Sequence, residues 1–300
     1  MSTINTENRN RYALITGATS GIGYEIARLF ASDGFNLILV ARSAERLQAI
    51  TDQLKGQFGV EITPLQKDLF LPSSPREIYQ EVQAMGVTVY ALVNDAGQGE
   101  WGSFLETNIN RDLDIIQLNI VSLVALTKYF LKDMVARNEG KILQVGSEAG
   151  TTPAPLLAVY AATKAFVLSF SAALANELKD TNITITALLP GATDTDFFHK
   201  AGAQDTVAYQ KELLTPEEVA KDGYEALMKG ESKIISGAKT KMHVFMSDLL
   251  GAKLSAANMR KLMEPDKKKK NRKETAHAAS HEEREFINRE TGGDEGDFEK

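Results

Sequence analysis

Seven short apolar runs punctuate the first 236 residues, and between them the hydrophobic pattern switches to a helical period. YALIT (12–16), NLILVA (36–41), VEITPL (60–65), VYALVN (89–94), KILQVG (141–146), ITITALLP (183–190) and KIIS (233–236) are rich in Val, Ile and Leu and mostly apolar on both faces. Strands covered on both sides by crossover helices read this way. Leu47, Ile50, Leu54 and Phe58 form one apolar helical stripe, and Ile78, Val82 and Met85 form another. Ser74 before Pro75, and Thr215 before Pro216, Glu217 and Glu218, are cap and first-turn pairs where helices begin. Longer helical patterns run near 109–136 and 157–180. The alternation predicts an α/β protein: a single Rossmann-like domain with a doubly wound, seven-stranded parallel sheet and helices on both faces.

That domain spans 11–237, after a polar extension at 1–10. A helical extension follows at 238–264, placed either to cap the substrate side or to pack on a partner subunit. Residues 265–300 carry too little apolar surface to offset their ordering entropy and are expected to be a disordered tail. Its basic run, Lys267 to Lys270 with Arg272 and Lys273, has the charge to touch an acidic membrane or nucleic acid, but acids follow it closely and the solvated reading is favoured. His277 and His281 lie there without a carboxylate framework, so no metal site is expected. A net charge of -6 gives no electrostatic reason to expect nucleic acid. The absence of cysteine excludes disulfides and thiolate chemistry; it leaves the compartment open but fits a reducing cytosol, and a cytoplasmic location is the expectation. The N-terminus has no apolar leader core, and no unbroken run of 18 apolar residues predicts membrane insertion.

The first strand ends in TGATSGIG (16–23), and a helix opens directly behind it. Gly17, Gly21 and Gly23 allow a tight turn, close backbone approach to a pyrophosphate, and close helix–strand packing. The helix N-terminus adds free N–H groups and partial positive charge. The second strand ends in VARSAERL, with Arg42 and Ser43 where a carboxylate would bind the 2′-hydroxyl of NAD. An arginine there pairs with a 2′-phosphate, so NADP(H) is favoured over NAD(H).

The spacing T-G-x-x-x-G-x-G resembles that of the short-chain dehydrogenase/reductase family, and the resemblance extends over residues 10–237. It implies that Gly17, Thr19, Ser20, Gly21, Ile22 and Gly23 hold the pyrophosphate. KDL (67–69) matches the segment that places Asp68 and Leu69 by the adenine. VNDAG (93–97) matches the family's N-N-A-G at Asn94, Ala96 and Gly97, whereas Asp95 departs from it. An ionised aspartate only accepts hydrogen bonds, so its carboxylate needs a local N–H partner or a proton. Pro190 and Gly191, with Thr193 or Thr195, match the segment that closes over the nicotinamide.

Asn119, Ser147, Tyr160 and Lys164 match the family's catalytic tetrad one by one. Tyr160 and Lys164 are one helical turn apart, and Ser147 stands at the carboxyl edge of the sheet. A phenol protonates the alkoxide left by hydride transfer, and a cation one turn away, with the positive nicotinamide of the oxidised cofactor, favours its phenolate and lowers its pKa. The resemblance implies that Lys164 also holds the nicotinamide ribose, that Ser147 binds the substrate oxygen, and that Asn119 holds a relay water. Residues 195–214 are expected to form a lid whose Phe197, Phe198, Tyr209, Leu213 and Leu214 line an apolar pocket. The second half is most similar to ketoacyl and hydroxysteroid-type reductases. These readings predict an NADPH-dependent reductase of an apolar small-molecule ketone, with no bound metal. An oxidative dehydrogenase and a non-catalytic NADP(H)-binding sensor are the alternatives. The family's pairing of its two long helices implies a homodimer or homotetramer.

Overall fold

The structure, a computed structural model, describes residues 8–266. The extension up to residue 7, the tail from 267, its basic run, and His277 and His281 lie outside the described residues. All seven expected strands form: β1 (Tyr12–Thr16), β2 (Asn36–Ala41), β3 (Ile62–Gln66), β4 (Val89–Asn94), β5 (Gly140–Val145), β6 (Ile183–Leu189) and β7 (Lys233–Ile235). They make one parallel sheet in the order β3-β2-β1-β4-β5-β6-β7. Pro64 lies in β3, where an edge strand tolerates the missing donor. Between β1 and β4 the winding reverses, which opens a crevice at the carboxyl ends of the strands.

Strand alternation divides the core into two layers. Leu37 and Leu39 face one side, where Phe30 of α1 (Gly21–Ser32) and Val219 and Leu227 of α8 (Pro216–Lys229) cover them. Ile38 and Val40 face the other, under Ile78 and Val82 of α3 (Ser74–Met85) and Leu126, Phe130 and Met134 of α5 (Leu123–Arg137). Leu14, Leu37, Ile38, Ile78 and Phe30 have no exposure, and each such side chain contributes about 1.5–3 kcal/mol by burial. The stripe expected on α2 (Ala44–Phe58) buries Leu47 and Leu54, with Ile50 and Phe58 partly buried against the core.

Thr215 caps α8 with a full capping box to Glu218, as its sequence predicts. The cap of α3 differs. Ser73 occupies the cap position, because the Ser74 hydroxyl is taken by the Asp68 carbonyl at 2.7 Å.

The first long helix runs as α4 (Ile109–Ile116), a π segment (Gln117–Ser122) and α5, and the second is α6 (Ala158–Glu177). Both are long and apolar enough to cross a membrane by length and composition alone, a test that core helices also pass. Here they pack on the sheet, α5 through Leu126, Phe130 and Met134 and α6 through Val167. Their outer faces leave Ile109, Leu113, Val121 and Phe166 exposed. The chain continues through α7 (Phe197–Lys200) to α9 (Ala238–Met263), which bends where Gly251 has a positive φ.

Candidate active site

A cleft of about 290 Å³ opens at the crevice between β1 and β4. One end is walled by the glycine turn, with Gly17, Thr19, Ser20, Gly21 and Ile22 all facing it. Gly17 has φ 72°, and a Cβ there would lie 2.8 Å from the Asp95 carboxyl and 3.0 Å from the Ala96 nitrogen. Gly23 lies behind the cleft, where a Cβ would stand 2.5 Å from Asp95 Oδ2 and 2.6 Å from the Gly17 carbonyl. Only hydrogen fits at either position. Ser20 leads into α1 without a side-chain cap, so the first N–H groups of α1 receive no bond from that hydroxyl.

Asp95 therefore lies beneath the turn. Its carboxyl accepts the Gly23 backbone N–H, which supplies the partner that an aspartate at this position requires. Burial nevertheless pushes its pKa up to about 7, against the opposing pull of Lys164 and that hydrogen bond. The Thr16 hydroxyl accepts the N–H groups of Asp95 and Ala96, each at 3.1 Å, and fixes the end of β4 against β1.

At the adenosine end, Arg42, Asp68 and Leu69 line the cleft with Phe70, which sequence reasoning missed. The Arg42 guanidinium stands 5.0 Å over the Phe70 ring and makes no ion pair among the described residues. Lys67 is already held by Glu77 at 3.0 Å and Glu81 at 2.6 Å. Asp68 accepts the Phe70 N–H and shapes the turn after β3. Ser43 does not line the cleft; its hydroxyl caps α2 by accepting the Arg46 N–H.

At the opposite end Ser147, Tyr160 and Lys164 meet. Ser147 hydrogen-bonds the Tyr160 phenol, and Lys164 Nζ lies 5.7 Å from the phenol ring centroid. Lys164 donates to the Val145 carbonyl at 2.7 Å. Phe197 packs on the Tyr160 ring at 4.8 Å, with Gly99 close beside both rings. The lowering expected at Tyr160 rests on Lys164 together with the oxidised nicotinamide, and the chain's own groups do not produce it. Burial, with Asp95 and Glu148 adding to it, pushes its pKa up to about 12, and only the Ser147 bond opposes. Burial also brings Lys164 down to about 8, and Asp95 alone works against that fall.

Two matched asparagines lie outside the cleft lining. Asn119 sits in the π segment, a helix defect often found at functional sites. Its amide hydrogens go to the Gln98 carbonyl and the Thr163 hydroxyl, both at 2.9 Å, and its oxygen accepts the Gln98 N–H. The side chain thus fixes the backbone beside Lys164, and its oxygen keeps a second lone pair that can accept from the expected relay water. Asn94 is 4% exposed and bonds Thr127 and Gln144 between neighbouring strands and α5. Cofactor-binding candidate Asn94 is thus a sheet residue. Asn94→Ala is expected to lower stability by about 1–3 kcal/mol through lost buried hydrogen bonds, with NADPH affinity unmoved. Chemical denaturation beside a cofactor titration checks both parts.

Ala96, Gly97, Pro190, Gly191, Thr193 and Thr195 complete the polar lining, as expected. Of the lid, Phe197 and Phe198 line the cleft, Tyr209 and Leu213 pack in the cluster around them, and Leu214 packs against the main core instead. Met259, Leu262 and Met263 of α9 close the apolar wall of the cleft. The Trp101 indole donates to the Met263 carbonyl and ties α9 to the loop after β4.

The family model described as short chain dehydrogenase matches residues 11–206. The chain belongs to the short-chain dehydrogenase family. It is therefore an oxidoreductase, and the glycine turn, Arg42 and the α1 N-terminus fit the phosphates of a nicotinamide cofactor. This dehydrogenase is 36% identical over 183 residues to a very-long-chain 3-oxoacyl-CoA reductase of Mycosarcoma maydis, covering 60% of this chain and 52% of that protein. The chain thus spans about half the length of that relative. It is 28% identical over 240 residues to a 7beta-hydroxysteroid dehydrogenase of Mediterraneibacter gnavus, covering 79% and 90% of the two chains. A short-chain dehydrogenase from Sphingobium yanoikuyae, solved in complex with NADPH, is 32% identical with a TM-score of 0.70, over 75% of this chain and 87% of that one.

Glu148, next to Ser147 in the cleft, also escaped the sequence reading. It is pushed up to about 7 by burial, while the Ala192 N–H and Lys211 favour its charge. A single glutamate in a loop carries no periodic signal, so nothing in the sequence marked it.

Proposed function

We propose that this dehydrogenase is an NADPH-dependent carbonyl reductase of apolar ketones, with Tyr160 as proton donor. The observation that carries the reading is the hydrogen-bonded, partly buried Ser147–Tyr160 pair beside Lys164 at the apolar end of a cleft whose other end presents Arg42, which makes no ion pair among the described residues.

When bound, the nicotinamide supplies the hydride. The chain supplies the proton and the geometry. A phenol near pKa 12 is protonated at neutral pH, as a donor must be before it gives its proton to a carbonyl oxygen. Ser147 Oγ lies on the same phenol and donates to the carbonyl oxygen as charge develops there. Lys164, as an ammonium, would hold the ribose hydroxyls of the bound cofactor. Phe197 and the walls from Leu157, Phe198 and Met259 exclude water and accept an apolar substrate body.

The 3-oxoacyl and steroid relatives support a ketone carried on a long or bulky apolar skeleton. A ketone panel read by loss of NADPH absorbance tests this. Bulky and long-chain ketones, including 3-ketoacyl thioesters, are expected to give a lower KM than short polar ketones; the reverse order contradicts the proposal. The exposed Ile109, Leu113, Val121 and Phe166 on the two long helices support a dimer or tetramer.

Asp95 is proposed to tune this site through Lys164. Its charge favours the ammonium, so Asp95→Asn removes the one influence that holds the Lys164 pKa up. The alkaline limb of kcat/KM is then expected at lower pH than in the native protein. A limb that stays in place, or moves upward, contradicts the coupling.

A further inference from the structure

The first half of α9 buries little of its apolar content. Thr240 and Val244 face inward at 5% and 6% exposure. Met242, Phe245, Met246 and Leu249 face outward at 61%, 61%, 42% and 66%. Their i, i+3, i+4, i+7 spacing lines them up as one stripe, and Leu250 and Leu254 extend it around the Gly251 bend. Lys241 and Lys253 are exposed on the same stretch of helix, and Lys239 pairs with Glu212. In sequence the helix holds three lysines before residue 254, then Arg260 and Lys261, against the single acid Asp248. The chain continues into Lys267, Lys268, Lys269, Lys270, Arg272 and Lys273 before acids resume at Glu274.

We propose that this face of α9 docks on an anionic lipid surface, with the apolar stripe in the headgroup–acyl boundary and the cations on lipid phosphates. An interfacial helix has this composition: a large apolar face, a basic remainder, and no need to span the bilayer. Charge selects lipid over a second copy of the chain. A two-fold contact would set the basic helix against itself, whereas an anionic bilayer covers the stripe and neutralises the lysines together. Beyond the bend the same helix supplies Met259, Leu262 and Met263 to the cleft wall, so docking brings the substrate end of the cleft to the lipid. The proposal stands independently of which carbonyl is reduced.

Sedimentation of the full-length protein with vesicles tests it, using phosphatidylglycerol and phosphatidylcholine in equal parts against phosphatidylcholine alone. The native protein is expected to pellet with the anionic vesicles and to be released by salt. Phe245→Glu combined with Leu249→Glu is expected to lower partitioning at least about tenfold, with melting temperature and NADPH binding retained. Lys241→Gln with Lys253→Gln is expected to weaken binding to anionic vesicles alone. Equal binding to both vesicle types, or native protein left in the supernatant with both, overturns the proposal. So does a native dimer that the Phe245/Leu249 variant converts to monomer without any vesicle binding, because a second copy then covers the face.

Discussion

Tyr160→Phe is expected to lower kcat by about 10³-fold while leaving NADPH affinity nearly unchanged. The substitution removes one oxygen and the proton it carries. The ring remains packed against Phe197 and Gly99, so the cleft keeps its shape. Ser147 loses its phenol partner but keeps the Ala149 N–H, and Lys164 keeps the Val145 carbonyl, so neither is released to rearrange. The loss thus falls on proton transfer alone. Turnover with a saturating bulky ketone, beside a fluorescence titration of NADPH, separates the two effects. Substantial residual turnover would show that another group protonates the alkoxide.

Arg42→Asp is expected to lower the NADPH/NADH preference by roughly 10²-fold, since a charge-assisted bond to phosphate contributes about 1.5–3 kcal/mol. The reason lies in what surrounds Arg42. Lys67, a neighbouring cation, already holds Glu77 and Glu81, and Arg111, over the same Phe70 ring, faces Glu100. An aspartate would repel the 2′-phosphate and accept the 2′-hydroxyl of NADH instead. The ratio of kcat/KM with the two cofactors measures this, and an unmoved ratio would remove Arg42 from cofactor selection.

The sheet was legible because seven Val/Ile/Leu-rich runs admit few other arrangements, and the winding rules fix where the crevice opens. The glycine turn was legible for the same physical reason that it forms: Gly17 and Gly23 stand where a Cβ would strike Asp95 or backbone. Residues that act through long-range packing were less visible. Asn94 matches the motif by position yet faces Thr127 and Gln144, because which way a strand-end side chain points depends on the neighbouring strand and helix. Ser43 caps a helix, and Asn119 holds Gln98, for like reasons. Phe70, Glu148 and the α9 methionines reach the cleft only through tertiary folding, and no spacing in the sequence marks that arrival. The expected fall in the Tyr160 pKa rests on Lys164 and the oxidised nicotinamide together. Burial of the phenol outweighs every opposing influence from the chain itself, and Lys164 is not among those influences.

The central claim is reduction of a carbonyl with NADPH and a proton from Tyr160. Its most direct test is the simultaneous measurement of NADPH consumed and alcohol formed by the native protein with a bulky apolar ketone at neutral pH. The account predicts that one alcohol appears for each NADPH oxidised, that the Tyr160→Phe variant makes almost none, and that NADP+ reduction with the product alcohol is slower. Faster NADP+ reduction, or NADPH binding with no alcohol formed from any ketone, would contradict it.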